Sequence, residues 1–347
     1  MQEDILNLAY EVSRVTEEKV DLIDSVMRQT NLLAINARIE AARAGPAGAA
    51  FSVVAQEMGV VAADISRISR ELRGAIGANI LKLEQAGQDM MTQFRGARFT
   101  DLAHNAVEII DRNLYERSCD VRWWATDSAM VDVLERSGAE SVAYASERLA
   151  TILRSYTVYL DLWVADAQGR VIANGRPQTY RDVIGRDVSH TDWFKKAMRT
   201  TSGEDFTVAD IETNRALDGA AVATYATAIR QGARNDGRPI GVLGIFFDWQ
   251  PQAEAVVAGV SLSEEERRTT RVMLLDARHR VIASSDGRGV LQETYALDTG
   301  GLTRGHYANG AAVTAFALTP GYETYTGLGW YGVIESRGEG AQFQQAA

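Results

Sequence analysis

The chain is poor in the residues that build crosslinks and metal centres. Cys119 is its only cysteine. An intrachain disulfide is therefore impossible, and a reducing compartment is the natural setting. The four histidines, His104, His190, His279 and His306, are scattered and lack metal-ligand spacing, so no metal is expected. No cofactor is expected either, and no G-x-S-x-G, P-loop or Cys–His signature occurs, which makes an enzyme an unpromising reading. Basic charge is also short: 36 Lys and Arg stand against 46 Asp and Glu, a net charge of -10, which argues against nucleic-acid binding. No unbroken run of ~18 apolar residues appears, so no bilayer span is expected. The opening "MQEDILNLAY" lacks a basic–apolar–small leader pattern, and a cytoplasmic location is expected. Proline is scarce as well. Pro46, Pro177, Pro239, Pro251 and Pro320 leave the whole window from Ala47 to Arg176 free to be helical.

Residues 1–36 hold a heptad pattern. Ile5, Val12, Val26 and Leu33 share one seam position, with Lys19 as the polar exception; Leu8, Val15, Leu22, Gln29 and Asn36 share the other. A seven-residue repeat implies helices wound about each other. "RAGPAGAAF" then sets Gly45, Pro46 and Gly48 together as a turn. The pattern resumes with Val54, Val61, Ile68 and Ala75, and with Met58, Ile65 and Leu72. Two such arms around a turn predict an antiparallel helical hairpin. Helix is also predicted for "LAHNAVEIIDRNLYERSCDVRWWATDSAMVDVLERSG", with a break at Ser137–Gly138 and a further helix from about Glu140 to Arg154.

The character changes at Tyr156. "VYLDLWVADAQGRVIANG" reads as strand, turn, strand, and "RVMLLDARHRVIASSDG" repeats it. Asp166-Ala-x-x-Arg-Val-Ile-Ala recurs at Asp276, 110 residues on. One repeat is too few for a solenoid and fits two tandem α/β lobes, each opening with a hairpin. "AAVATYATAI", "RPIGVLGIFFDW" and "GLGWYGVIES" add strands, and "HTDWFKKAMRT" a helix over the first sheet. Asp166 and Asp276 are expected to be turn residues.

"QTNLLAINARIEAARAG", Gln29 to Gly45, resembles the signalling tip of methyl-accepting chemotaxis receptors, and "FSVVAQEM" continues the match. The resemblance implies docking to a CheA-type histidine kinase and a CheW-type coupling protein. It places Leu32, Asn36 and Val53 on that surface and makes Glu40 and Arg43 the ionic pair that helps hairpin dimers join as trimers. On the residues alone, Leu32 and Val53 fit a helix seam equally well, and Glu40–Arg43 fits a solvated i,i+3 pair. The turn departs from the family's G-E-Q-G-R-G-F, with Pro46 and Ala49 in place of its charged residues. Arg28 stands where an apolar trimer contact is usual.

Residues from about Asn113 to Glu335 resemble a double Cache sensor, a long helix followed by two PAS-like lobes. "RNLYERSCDVRWWA", "DLWVADAQGRVIAN", "IGRDVSHTDWFKKA", "IGVLGIFFD" and "GLGWYGVIE" carry the likeness in order. It implies a ligand pocket in the first lobe drawing on Trp193, Phe194, Asp210, Glu212, Tyr225 and Asp248. Aromatic faces with carboxylates suit a small polar, amine-bearing ligand. Thr191 stands where amino-acid-binding members carry arginine, and Arg186, the nearest arginine before Trp193, lies seven residues before it and is expected to fall short. Trp193 and Phe194 serve equally as core anchors, and Asp248 as the cap of "QPQAEAVVAG".

The expectation is an α+β chain: a coiled-coil hairpin over 1–98, connecting and long helices over 99–155, a ligand lobe over 156–260, and a second lobe and tail over 261–347. The function expected is that of a chemoreceptor-like transducer acting as a homodimer. The alternative is a small-molecule-binding Cache protein whose hairpin serves only for dimerisation.

Overall fold

A computed structural model describes residues 2–136, 138–310 and 312–337, with side chains from Leu8 onward. The chain divides into two units, Met1–Phe94 and Arg95–Ala347. The division comes a few residues before the expected 98/99 boundary. The cause is local: Arg98 binds Glu266 and donates to the Ser261 carbonyl at 3.0 Å, and Phe99 is fully buried.

In the first unit, α1 (Gln2–Arg43) and the first part of α2 (Ala49–Trp124) form the two arms, joined by a 3-10 turn at Gly45–Gly48. Gly45 has φ +62°, in the left-handed region that favours glycine. A Cβ on Gly48 would run into the carbonyl of Ala41. Arg73 reaches back to Asp21 at 2.6 Å and Asp24 at 3.5 Å.

The packing between the arms differs from the heptad reading by one face. Val20, Ala34, Ala41, Ala55, Ala62 and Ser69 are buried, with Gly48 at the turn. Most large residues assigned to the seam are exposed: Leu8, Val12, Val15, Leu22, Val26, Leu33, Val54, Met58, Val61, Ile68 and Leu72; Ile65 is half-buried, and Leu8 and Val12 line a cavity with Ile76 and Ile80 of the other arm. Asn36 is exposed too. Ile5 lies outside the residues whose side chains are described. The physical reason is that small residues let two helices approach closely, and the bulky stripe is then left unpartnered within one chain.

Among the described residues one helical stretch, Gly45–Trp124, is by length and composition alone apolar enough to cross a membrane: an 18-residue window in it has mean hydropathy 1.3, with 17% of the window buried. The expectation that no segment could span rested on an unbroken apolar run. A window average admits the Ala- and Val-rich arm despite its scattered polar residues.

In the second unit the rest of α2 is followed by α3 (Ser128–Glu135) and α4 (Ala139–Ser155). The sequence predicted one helix across 124–128. Instead Asp127 is extended and its carboxylate accepts from Ala129 N at 3.0 Å, starting a new helix. The break before α4 falls where expected, although Ser137 lies outside the described residues. Then come β1 (Tyr159–Asp166), β2 (Val171–Asn174), α5 (Asp192–Met198), β3 (Thr207–Asn214), β4 (Ala220–Arg230), β5 (Pro239–Asp248) and α6 (Trp249–Gly259). The second lobe has α7 (Glu264–Thr269), β6 (Thr270–Leu275), β7 (Val281–Ser284), β8 (Arg304–Asn309), β9 (Ala312–Leu318) and β10 (Tyr331–Ser336). Both sheets are antiparallel with one topology, β2-β1-β5-β4-β3 and β7-β6-β10-β9-β8.

One face of each sheet joins a common core with α2, including Phe99, Val107, Ile110, Leu114, Leu162, Ile245, Val272 and Ile334. The opposite face of the first sheet packs Trp163 and Phe246 under Trp193 and Phe194 of α5. The repeat is literal at its turns. Asp166 Oδ1 accepts from Gln168 N and Arg170 N at 3.0 and 2.9 Å, and Asp276 Oδ1 from Arg278 N and Arg280 N at 2.8 and 3.0 Å. The left-handed position is Gly169 in one and His279 in the other.

Candidate ligand groove and partner surface

A groove of about 740 Å³ runs between α5, β3 and two loops of the second lobe. The short helix α5 sets one wall. Trp193 is buried beneath it, edge-on to Phe246 at 6.0 Å and to Phe194 at 6.2 Å. Lys196, one turn on, lines the same wall with His190, Thr191 and Asp192. The other wall carries Asp210, Glu212 and Arg215, with Arg278 and Leu328 from the second lobe.

The six residues expected to converge do not all meet here. Trp193, Asp210 and Glu212 line the groove. Phe194 is buried in the core beside Trp193. Tyr225 lies on the opposite face of the sheet, fully buried, because alternate residues of β4 point to opposite faces: Ala226 belongs with Trp193, Tyr225 with the α2 core. Its hydroxyl meets that of Tyr325 at 3.2 Å, its ring stacks on Phe206, and burial raises its pKa well above the usual value. Asp248 stands at the N-cap position of α6 but makes no side-chain cap bond. Its pKa is raised by burial, with Arg176 opposing. It does not line this groove.

Asp210 is engaged in holding the lobes together. The Trp330 indole N–H donates to its Oδ1 at 3.2 Å and Arg278 stands 3.9 Å from Oδ2. One residue on, the Ile211 carbonyl accepts from Arg280 at 2.8 Å. Glu212 is exposed. Arg186 does reach the groove, since Gly185 with φ +84° turns the chain back between them. The groove therefore carries Arg186, Lys196, Arg215 and Arg278 against Asp192, Asp210 and Glu212. The lining thus presents both signs of charge rather than carboxylates alone. Lys196 was legible as a residue one turn from Trp193. Arg278 was not, because only the fold brings the second repeat's turn to the first lobe.

A second feature missed in the sequence is Asp161, the single acid inside "VYLDLWVA". It is fully buried and accepts from Leu162 N, Trp163 Nε1, Asn174 Nδ2, Gly175 N and Arg176 N at 2.8–3.0 Å. Burial raises its pKa and these bonds oppose the rise. It fixes the start of the loop leading toward α5.

On the hairpin, Leu32 and Val53 are exposed at 60% and 61%, which takes both out of the seam between the arms. Asn36 shares that exposure. Arg43 and Glu40 pair at 2.7 Å with both side chains largely in solvent. Among the described residues no group of three or more His, Cys, Asp or Glu is placed to hold a metal.

Residues 2–116 match the signalling domain of methyl-accepting chemotaxis proteins. The methyl-accepting chemotaxis protein McpS of Pseudomonas putida is 39% identical over 93 residues, 27% of this chain and only 14% of that protein. The sensory domain of the Campylobacter jejuni chemoreceptor Tlp3 superposes with a TM-score of 0.52 at 17% identity, over 70% of this chain and 92% of that one. The same domain in complex with 4-methylisoleucine gives 0.51 at 16%, over 70% and 90%. At such identities the likeness concerns the fold. Residues 2–116 are thus similar to the methyl-accepting chemotaxis signalling domain, carried in one chain with a C-terminal unit of the double Cache sensor fold.

Proposed function

We propose that the protein is a ligand-responsive transducer in which the Cache unit is the input and the hairpin tip docks to a CheA-type histidine kinase and a CheW-type coupling protein. The observation that carries this reading is the exposure of Leu32, Asn36 and Val53 at the tip. Side chains spent on the seam could not meet a partner. The reading puts the hairpin in the cytoplasm. It also makes the molecule a homodimer, because the exposed stripe from Leu8 to Leu72 is too wide to stay in water. Pro46 and Ala49 remove two charges from the tip, and docking is weaker than for the family's usual turn.

The ligand is small and polar, with an amine and an acidic group. Glu212 and Asp192 meet the amine, and Arg186, Lys196 and Arg215 the acid. Occupancy alters signalling only to the extent that the ligand prefers one arrangement of the surrounding elements over another. Purified full-length chain, coupling protein and kinase test the docking: co-sedimentation is expected, with Asn36→Asp and Val53→Glu reducing it. Retention unchanged by both substitutions would remove the assigned surface and leave a hairpin that only dimerises. A thermal-shift screen of amino acids and amines against the full chain tests the input, since a ligand of the folded state raises its stability.

A further inference from the structure

Three arginines are buried in the described residues: Arg117, Arg230 and Arg271. Two have carboxylate partners. Arg117 binds Asp120 at 3.2 Å and Glu116 at 2.9 Å, and Arg271 binds Glu293 at 2.9 Å and Asp286 at 3.3 Å. Arg230, only 5% exposed, has none among the described residues. Its guanidinium donates to the carbonyls of Gly237 at 2.8 Å and Thr200 at 2.6 Å and to Thr200 Oγ1 at 3.1 Å. Its Nε finds no acceptor at all. A buried charge held by neutral carbonyls alone, with a donor unused, is an uncompensated cation.

Arg230 lines a cavity of about 400 Å³ at the end of α2, which shares no lining residue with the groove. Arg122 and Arg234 line it too. Arg234 is held by Asp236 at 3.0 Å. Arg122 has one carboxylate nearby, Glu204 at 3.7 Å, and that side chain is 75% exposed. Trp123, Ala125 and Ala228 supply an apolar wall, and Trp123 is 69% exposed. The carbonyl end of α2 works against an anion here, but its last carbonyls are already engaged: those of Val121, Trp123 and Trp124 accept from Ala125 N at 3.2 Å, Thr126 N at 3.0 Å and Asp127 N at 3.1 Å.

We propose that this cavity binds a small organic carboxylate, its charge between Arg122 and Arg230 and its apolar body against Trp123 and Ala228. A planar guanidinium fork matches a carboxylate, and an aromatic wall favours a tail over a bare inorganic ion. The site is separate from the groove at Trp193 and does not depend on that groove having a ligand.

Benzoate is the probe, with acetate and inorganic phosphate as controls, titrated calorimetrically into the full chain. Benzoate is expected to bind more tightly than either control. Arg122→Gln should weaken it about tenfold, the loss of one charge-assisted bond, and Trp123→Ala should also weaken it. Cys119, the only cysteine, lines the same cavity, so benzoate should slow its alkylation by iodoacetamide. Arg230→Lys serves as a second variant if it folds, and Arg122→Gln decides the matter if it does not. Absence of benzoate binding, or binding unaffected by Arg122→Gln with no protection of Cys119, overturns the proposal. Phosphate binding in preference to benzoate overturns the carboxylate assignment.

Discussion

Asp161 and Arg271 occupy the same place in the two lobes with opposite charge. Each lies on the first strand of its sheet, 110 residues apart, and each ties down the segment that follows the second strand. Asp161 does so by accepting from Asn174, Gly175 and Arg176, and Arg271 by donating to Ser284, Asp286, Arg288 and Glu293. Asn174 and Ser284, Arg176 and Asp286, are themselves 110 apart. The repeat thus preserves a clamp while inverting its polarity. The two are not interchangeable: an acid at 271 would face Asp286 and Glu293, and an arginine at 161 would face only N–H donors.

That clamp predicts a large stability loss. Asp161→Ala removes an acceptor shared by five donors, of which Gly175 N keeps the Leu162 carbonyl at 3.1 Å, and a cost of about 3 kcal/mol or more is expected. The measure is the chemical denaturation midpoint of the full chain. A midpoint within error of wild type would show that the loop holds without the carboxylate.

Asp111 predicts a pH dependence. It sits on α2, fully buried, with Oδ2 accepting from Gly321 N at 2.7 Å and Oδ1 without a partner. Burial pushes its pKa up to about 6. A carboxyl whose folded pKa is raised favours the folded state when protonated. Its contribution is therefore full below the ordinary value of 3.8 and is lost as pH rises through about 6. Asp111→Asn, neutral at all pH, should be more stable than wild type above pH 6 by about 1–3 kcal/mol, with the gap closing on acidification. A gap independent of pH would refute the assignment.

Tyr225 and Tyr325 predict a stability effect without a ligand effect. Tyr225→Phe leaves the Tyr325 hydroxyl without its partner in a buried setting, at a cost of about 1 kcal/mol. Binding of whatever ligand the thermal-shift screen finds should be unchanged by titration calorimetry, because the ring lies on the far side of the sheet from the groove.

The hairpin predicts two separable outcomes. Leu33→Lys with Val54→Glu should leave helical content intact and shift the chain toward monomer by sedimentation. Ala34→Leu or Ala55→Leu should lower helical content, since neither site has room between the arms. Gly48→Ala should act like the latter, through collision with Ala41. Were Leu33→Lys to melt the hairpin in a monomer, the packing between the arms would be misassigned.

Sequence carried the repeat, the turns and the order of strands because their signals are local: an Asp four residues before an Arg, a period of two, a Gly at the turn. The heptads were visible as well, but their partner was not. A seven-residue apolar stripe says that something covers it and does not say whether the sister arm or another chain does so. Tyr225 was misplaced for a similar reason. Which face of a strand meets which helix is a property of the assembled sheet, and a shift of one residue exchanges the faces. Arg278 and Trp330 came to the first lobe through lobe packing, which no local pattern encodes. Asp161 could have been found, since a lone acid in a run of buried strand residues must have partners.

The alanine and glycine seam has a mechanical consequence. Interlocked large side chains hold two helices in register, because sliding them means lifting each knob from its hole. Ala34, Ala41, Ala55, Ala62 and Gly48 offer almost no knobs. Near the tip, beyond Val20 and the Arg73–Asp21 pair, the two arms of a lone hairpin can therefore slip and roll against each other at little cost. Stiffness in such a rod comes from outside, from whatever grips Leu33, Val54 and Val61. A hairpin of this kind is soft alone and rigid in company, so its rigidity reports who is bound.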